Sequence, residues 1–100
     1  MRGKSYANPA LVIYLVKNRA GICRIGITTS KKIGNAVQRN RARRVIREAF
    51  RQLDTPIKGN YDIVFVARTK TVYKKSTEIC SVMQSLLSQA GVLADEKSGS

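Results

Sequence analysis

The chain has 100 residues, 43% of them hydrophobic, which is enough for one globular domain and too apolar for a disordered polymer. Nineteen Lys and Arg stand against six Asp and Glu, with no His, leaving a formal charge of +13. Self-repulsion on that scale is relieved by a polyanionic partner, and no apolar run approaches the roughly 20 residues of a membrane-spanning helix.

The charge is concentrated in the first half. Residues 1–53 carry thirteen basic residues and one acid, Glu48, a balance of +12; residues 54–100 carry six basic and five acidic residues, a balance of +1. The opening MRGKSYANPA lacks the apolar core of a signal peptide. Cys23 and Cys80 form no metal-binding spacing. The reading is a cytoplasmic protein with two reduced, buried thiols and no membrane association.

In chain order, Lys4–Ala7 is a short candidate strand before an Asn8–Pro9 turn. Leu11–Lys17 is apolar on both parities and β-branched, the pattern of a central strand. After a turn at Asn18–Gly21, the segment Ile22–Thr29 alternates. Cys23, Ile25 and Ile27 fall on one face, and Arg24, Gly26 and Thr28 on the other. It predicts a half-buried strand in a hairpin with its predecessor.

Ser30–Gly34 reads as a loop. Asn35 is a predicted N-cap with Gln38 at the capping-box position, opening a helix to about Leu53. Pro56 and Gly59 break the chain before a second buried strand, Tyr61–Ala67. A polar connection, Arg68–Lys75, leads to a helix over Ser76–Ala90. There Ile79, Val82, Met83, Leu86, Leu87 and Ala90 share a face, and Gly91 is suited to end it. The expected fold is α+β: one small mixed sheet of three to four strands, a basic helix and a C-terminal helix in an α/β sandwich. Residues 1–93 form one domain and 94–100 a flexible tail.

At about 100° per residue, Ala42, Val45, Ile46, Ala49, Phe50 and Leu53 fall on one arc of the basic helix, the arc that must be buried. Asn40, Arg43, Arg44, Arg47 and Arg51 occupy the opposite arc; Arg39 lies near the Phe50 edge of the apolar arc and Arg41 on a flank. A solvated face normally mixes signs, because i,i+4 ion pairs stabilise a helix and like charges oppose it. Here Arg43, Arg47 and Arg51 form a like-charge ladder, and the lone Glu48 reaches only Arg44 or Arg51. Guanidinium binds phosphate bidentately and stacks on bases. Lys31, Lys32 and the main-chain amides near Gly34 and Asn35 extend the anion-binding surface towards the helix N-terminus. The candidate RNA-binding set is Lys31, Lys32, Asn35, Arg39, Asn40, Arg43, Arg44, Arg47 and Arg51. Tyr14, with Val12 and Val16 at its parity, is either core or a stacking platform on an open sheet face, beside the polar face Arg24–Gly26–Thr28.

The run SKKIGNAVQRNRARRVIREAF, Ser30 to Phe50, closely resembles the signature of the bacterial ribonuclease P protein subunit. Lys31, Lys32, Gly34, Ala36, Val37, Arg39, Asn40, Arg43, Arg44 and Arg47 all match that family's pattern, and the likeness extends over about residues 3–90. The resemblance implies a protein that binds ribonuclease P RNA and assists endonucleolytic removal of the 5′ leader from precursor tRNA. The RNA carries the chemistry with Mg2+, and the protein itself holds no cofactor, metal or catalytic residue. It also implies a left-handed β-α-β crossover through the basic helix, where handedness rules favour a right-handed one. Tyr14 looks like an aromatic of the leader-binding cleft, which would include Val12, Arg24 and Thr28. Family members carry a further N-terminal helix, and this chain starts where that helix would be ending. Its absence would leave the cleft incomplete and an apolar sheet surface open to self-association.

A self-sufficient metal nuclease needs clustered carboxylates or His. The acids here, Glu48, Asp54, Asp62, Glu78, Asp95 and Glu96, are scattered. A DNA-binding or ribosomal-type basic protein would use the same helix, and only the long motif speaks against it.

Overall fold

A computed structural model of the chain describes residues 3–19, 23–53, 57 and 60–92. Four strands form one mixed sheet: β1 (Gly3–Asn8), β2 (Leu11–Lys17), β3 (Arg24–Thr28) and β4 (Tyr61–Ala67), in the order β1-β2-β4-β3. Two helices, α1 (Ala36–Gln52) and α2 (Ser76–Ala90), pack on one face. The fold is α+β, as the sequence predicts.

β1 and β2 are an antiparallel hairpin whose turn is closed by the Asn8 side chain, accepting from the Ala10 amide at 2.8 Å. β2 runs antiparallel to β4, and β4 parallel to β3. The expected hairpin between β2 and β3 is therefore absent: β4 lies between them. The physical reason is apolarity. Ile63, Phe65 and Ala67 of β4 are all buried, and Val64 and Val66 are half-buried, so this strand takes the central place. β3 carries the exposed Arg24, Ile25 and Thr28 and takes an edge, where charged and polar side chains are tolerated. The crossover from β3 to β4 runs through α1.

The core lies between the sheet and the helix layer. Leu11, Ile13 and Leu15 of β2 meet Ile46 and Ala49 of α1 and Ile79, Met83 and Leu87 of α2 in one buried cluster. Phe50 stacks obliquely on Phe65, with ring centroids 5.9 Å apart. The connection Arg68–Lys75 is not merely polar. It contains a short 3-10 helix, Thr69–Tyr73, that buries Thr71 and Val72. The Thr71 hydroxyl donates to the Ala10 carbonyl at 2.6 Å and accepts from the Arg68 amide at 2.9 Å, so its burial is fully compensated.

Cys23 and Cys80 are half-buried, not buried, and neither is in a disulfide. Partial burial, with a smaller contribution from Asp62, raises the Cys23 thiol above its ordinary value, so it is no activated nucleophile. The predicted break at Asp54–Asn60 falls largely outside the described residues, as does the predicted tail.

Candidate nucleic-acid interface

The approach to α1 is built by Ser30, Ile33, Gly34, Asn35 and Gln38. Ser30 caps a single 3-10 turn, Lys31–Ile33, by accepting from the Lys32 amide at 3.3 Å. Ile33 is buried and pins the turn, leaving Lys31 and Lys32 exposed. Gly34 then takes a φ of 139°, which side-chain-bearing residues rarely adopt, and a Cβ there would run into the Gln38 carboxamide. That carboxamide is needed where it is. Gln38 Oε1 accepts from the Asn35 amide at 3.3 Å, while Asn35 Oδ1 accepts from the Gln38 amide at 3.0 Å. The predicted capping box is present.

This corrects one expectation. The main-chain amides of Gly34 and Asn35 are not open anion donors: Gly34 donates to the Lys31 carbonyl at 3.2 Å and Asn35 to Gln38. Asn35 acts first as a cap.

Along α1, Ala42, Ile46 and Ala49 are buried and Val45, Phe50 and Leu53 pack against the core, as the helical wheel requires. Asn40, Arg43, Arg44, Arg47 and Arg51 are all exposed. The six arginines nevertheless divide into two groups. Arg39 is half-buried and donates to the Gly34 carbonyl at 2.9 Å, tying the helix to its own approach. Arg41 donates from Nε to the Val72 carbonyl at 2.9 Å, tying α1 to the 3-10 helix. Arg51 lies 3.5 Å from Glu48, a solvent-exposed pair worth little. Arg43, Arg44 and Arg47 have no partner among the described residues. Three free guanidinium groups on one flank, preceded by Lys31 and Lys32, make a surface whose hydrogen-bonding capacity is wholly unspent.

The opposite face of the sheet is covered by no described element. Its side chains form three rows across the strands: Ala7, Val12, Val66 and Thr28; then Ser5, Tyr14, Val64 and Gly26; then Gly3, Val16, Asp62 and Arg24. Tyr14 is 48% exposed, and its row neighbours, Ser5, Val64 and Gly26, are all smaller than its ring. Tyr14 is thus exposed on the open face and not core. Val12 and Thr28 share its face. Arg24 does too, but it is held by Asp62 through two bonds, Nε–Oδ1 at 2.8 Å and Nη2–Oδ2 at 3.0 Å. Asn18 Nδ2 adds a third bond to Asp62 Oδ1 at 2.8 Å. The Arg24 guanidinium, chiefly through its hydrogen bonds, holds the Asp62 carboxyl below the usual carboxylate range, against a smaller effect of partial burial. Arg24 is a fixed, neutralised border of the face, less free than the sequence suggested.

Sequence reasoning missed Tyr73. It is 77% exposed at the end of the 3-10 helix, next in the chain to the carbonyl that anchors Arg41. Its only signal was an aromatic in an otherwise polar segment. It also missed the 75% exposure of Val37 on the first turn of α1. Among the described residues no cluster of three His, Cys, Asp or Glu could hold a metal ion, and no helix is long and apolar enough to cross a membrane.

The sequence and the fold are shared with known proteins. The family model described as Ribonuclease P matches residues 1–91. The chain belongs to the ribonuclease P protein family. It is 47% identical over 92 residues to the ribonuclease P protein component of Clostridium botulinum (strain Loch Maree / Type A3), covering 91% of this chain and 83% of that protein. The solved ribonuclease P protein of Staphylococcus aureus superposes with a TM-score of 0.77 at 35% identity, covering 92% of this chain and 84% of that one. That of Thermotoga maritima superposes with a TM-score of 0.75 at 31% identity, covering 87% and 83%. Ribonuclease P is a tRNA-processing endonuclease, and the family gives this chain a part in it as its protein component.

Proposed function

We propose that this chain is the RNA-docking subunit of ribonuclease P, which binds the catalytic RNA through α1 and the 5′ leader of precursor tRNA through the open sheet face. The observation that carries the reading is the set of guanidinium groups of Arg43, Arg44 and Arg47, unpaired among the described residues and inside the segment that matches the family signature. Phosphates would supply the partners that the fold withholds. Lys31 and Lys32 extend the contact along the RNA backbone; Asn40 sits among the free arginines. Arg39 and Arg51, already engaged within the chain, are secondary.

On the other face, a single-stranded leader would lie over Val12, Tyr14 and Thr28, with one base on the Tyr14 ring. Stacking of this kind contributes about 1–3 kcal/mol per base and tolerates any sequence. In the isolated chain the same apolar face is where two copies would meet.

The chemistry would lie with the RNA, which holds the Mg2+ ions. The protein would lower the cost of bringing leader and catalytic core together. This assignment is supported by the residues themselves: the described acids share no site, and there is no His to act as acid or base near neutral pH.

The experiment is incubation of the purified chain with precursor tRNA and Mg2+, with and without ribonuclease P RNA. Cleavage at the leader junction is expected only with the RNA, and more efficiently with the protein than without it. Specific cleavage by the protein alone would overturn the reading. Equal affinity for ribonuclease P RNA, ribosomal RNA and duplex DNA would reduce it to a general basic binder.

A further inference from the structure

Ile25 is out of place for a residue of its parity. It pairs with Ile63 on the helix-bearing side of the sheet, where Ile63 and Phe65 are fully buried, yet Ile25 itself is 38% exposed. α1 packs against both β4 and the edge strand β3, yet it leaves Ile25 partly uncovered. Between helix and edge lies an open hollow of about 300 Å3. Its lining is Ile25, Ile27, Phe50 and Phe65, with Arg43 and Arg47 at the rim.

Four apolar side chains and no carboxylate line this slot, and both of its cations lack a partner among the described residues. We infer that it takes one unstacked base of the RNA docked on α1, with the adjoining phosphates held by Arg43 and Arg47. The inference rests on the proposed docking of RNA on α1 and adds to it a site for a single nucleotide.

Three properties of the slot favour that occupant. First, the hollow is at the lower end of the roughly 300–1,000 Å3 typical of small-molecule sites, suited to one planar ring system and not to a helix or a large side-chain cluster. Second, the apolar walls and the cationic rim are contiguous, which matches a nucleotide's flat apolar body beside an anion. An acidic peptide would satisfy the rim and leave the walls wet. Third, the base of a regular duplex is stacked and cannot enter, so a base that fits is one splayed from a loop, bulge or single strand, the form in which proteins read RNA.

The test follows the δ1-methyl NMR signals of Ile25 and Ile27 in the whole chain, titrated with a short single-stranded oligoadenylate and separately with inorganic tripolyphosphate. A base in the slot places its ring current on those methyls, so both signals should move upfield with the oligoadenylate and stay in place with tripolyphosphate. Methyls that ignore the oligoadenylate, or that move equally with both, overturn the proposal; so does an equal response to oligoglutamate. A second arm uses Ile25→Phe, which fills the slot without changing charge. Affinity for ribonuclease P RNA should fall about tenfold with the salt dependence unchanged, since stacking is lost and phosphate contacts are kept. Arg43→Ala and Arg47→Ala separate the two levels of the argument. If they leave RNA binding intact, docking on α1 is itself wrong. If they weaken binding while Ile25→Phe does not and the methyls stay still, only the slot is wrong.

Discussion

α1 and α2 lie side by side against the same sheet and do the same structural work. α1 buries Ala42, Ile46 and Ala49; α2 buries Ile79, Met83, Leu86 and Leu87. Their outer faces are unlike. α2 turns out Thr77, Glu78, Ser81, Gln84, Ser85, Ser88 and Gln89, with no basic residue in the helix. α1 turns out Asn40, Arg43, Arg44, Arg47 and Arg51. One helix of this layer thus folds without positive charge, so Arg43, Arg44 and Arg47 of the other are not there to make it fold. Like charges at i,i+4 oppose helix formation by about 0.2–0.5 kcal/mol per pair, a cost that α2 avoids altogether. The difference separates what the fold requires, an apolar stripe, from what the fold merely carries, a cationic one.

The comparison can be broken most forcefully from the inner side. Ile46→Asp places an unpaired carboxylate in a fully buried position. It should cost about 3–5 kcal/mol and abolish the cooperative unfolding transition followed by circular dichroism. Survival of a normal transition would mean that the inner stripe of α1 is not core. Next in size is Tyr14→Ala. On the assembled enzyme it should weaken binding of precursor tRNA by about 1–3 kcal/mol, and the loss should vanish for mature tRNA, which has no leader. An equal loss on both would move Tyr14 from the leader to the tRNA body or the fold.

Arg41→Ala sharpens the division within α1. Because its guanidinium holds the Val72 carbonyl, the variant should lose about 1 kcal/mol of stability in urea denaturation, with less effect on RNA affinity than removal of Arg43. The reverse pattern would erase the distinction between engaged and free arginines. The smallest effect concerns Asp62. Its folded-state pKa is depressed by Arg24, so its contribution to stability is fully present above the unfolded carboxylate pKa of about 3.9 and is lost as pH falls through the folded value. The difference in Tm between the parent and Asp62→Asn should therefore be constant near neutrality and close only in strong acid. A difference that persists there would assign the loss to something other than the ion pair.

Much of this was legible in the sequence where the signal is local. The bounds of β2, β4 and α2 follow from apolar periodicity, and the start of α1 follows from Asn35 and Gln38. The outward set on α1 follows from the 3.6-residue repeat. The neighbour of β3 was not legible, because alternation says which face is wet and nothing about which strand lies alongside. The 3-10 helix over Thr69–Tyr73 was hidden because Thr71 is polar, and its burial depends on the Ala10 carbonyl 61 residues away. The division of the arginines was hidden for the same reason: Arg41 finds its acceptor 31 residues on, in a segment with no helical signature. The slot beside Ile25 was invisible because parity predicts burial, and periodicity says nothing of how closely the helix layer covers an edge strand.

The central claim is that the free arginines of α1 exist for phosphate. The direct measurement is the affinity of the Arg43→Ala, Arg47→Ala double variant for ribonuclease P RNA across a range of salt concentrations, alongside its thermal unfolding. The account predicts a log–log slope shallower by about 2, one for each lost phosphate contact, with stability within about 0.5 kcal/mol of the parent. An unchanged slope, or a variant that unfolds, would contradict it.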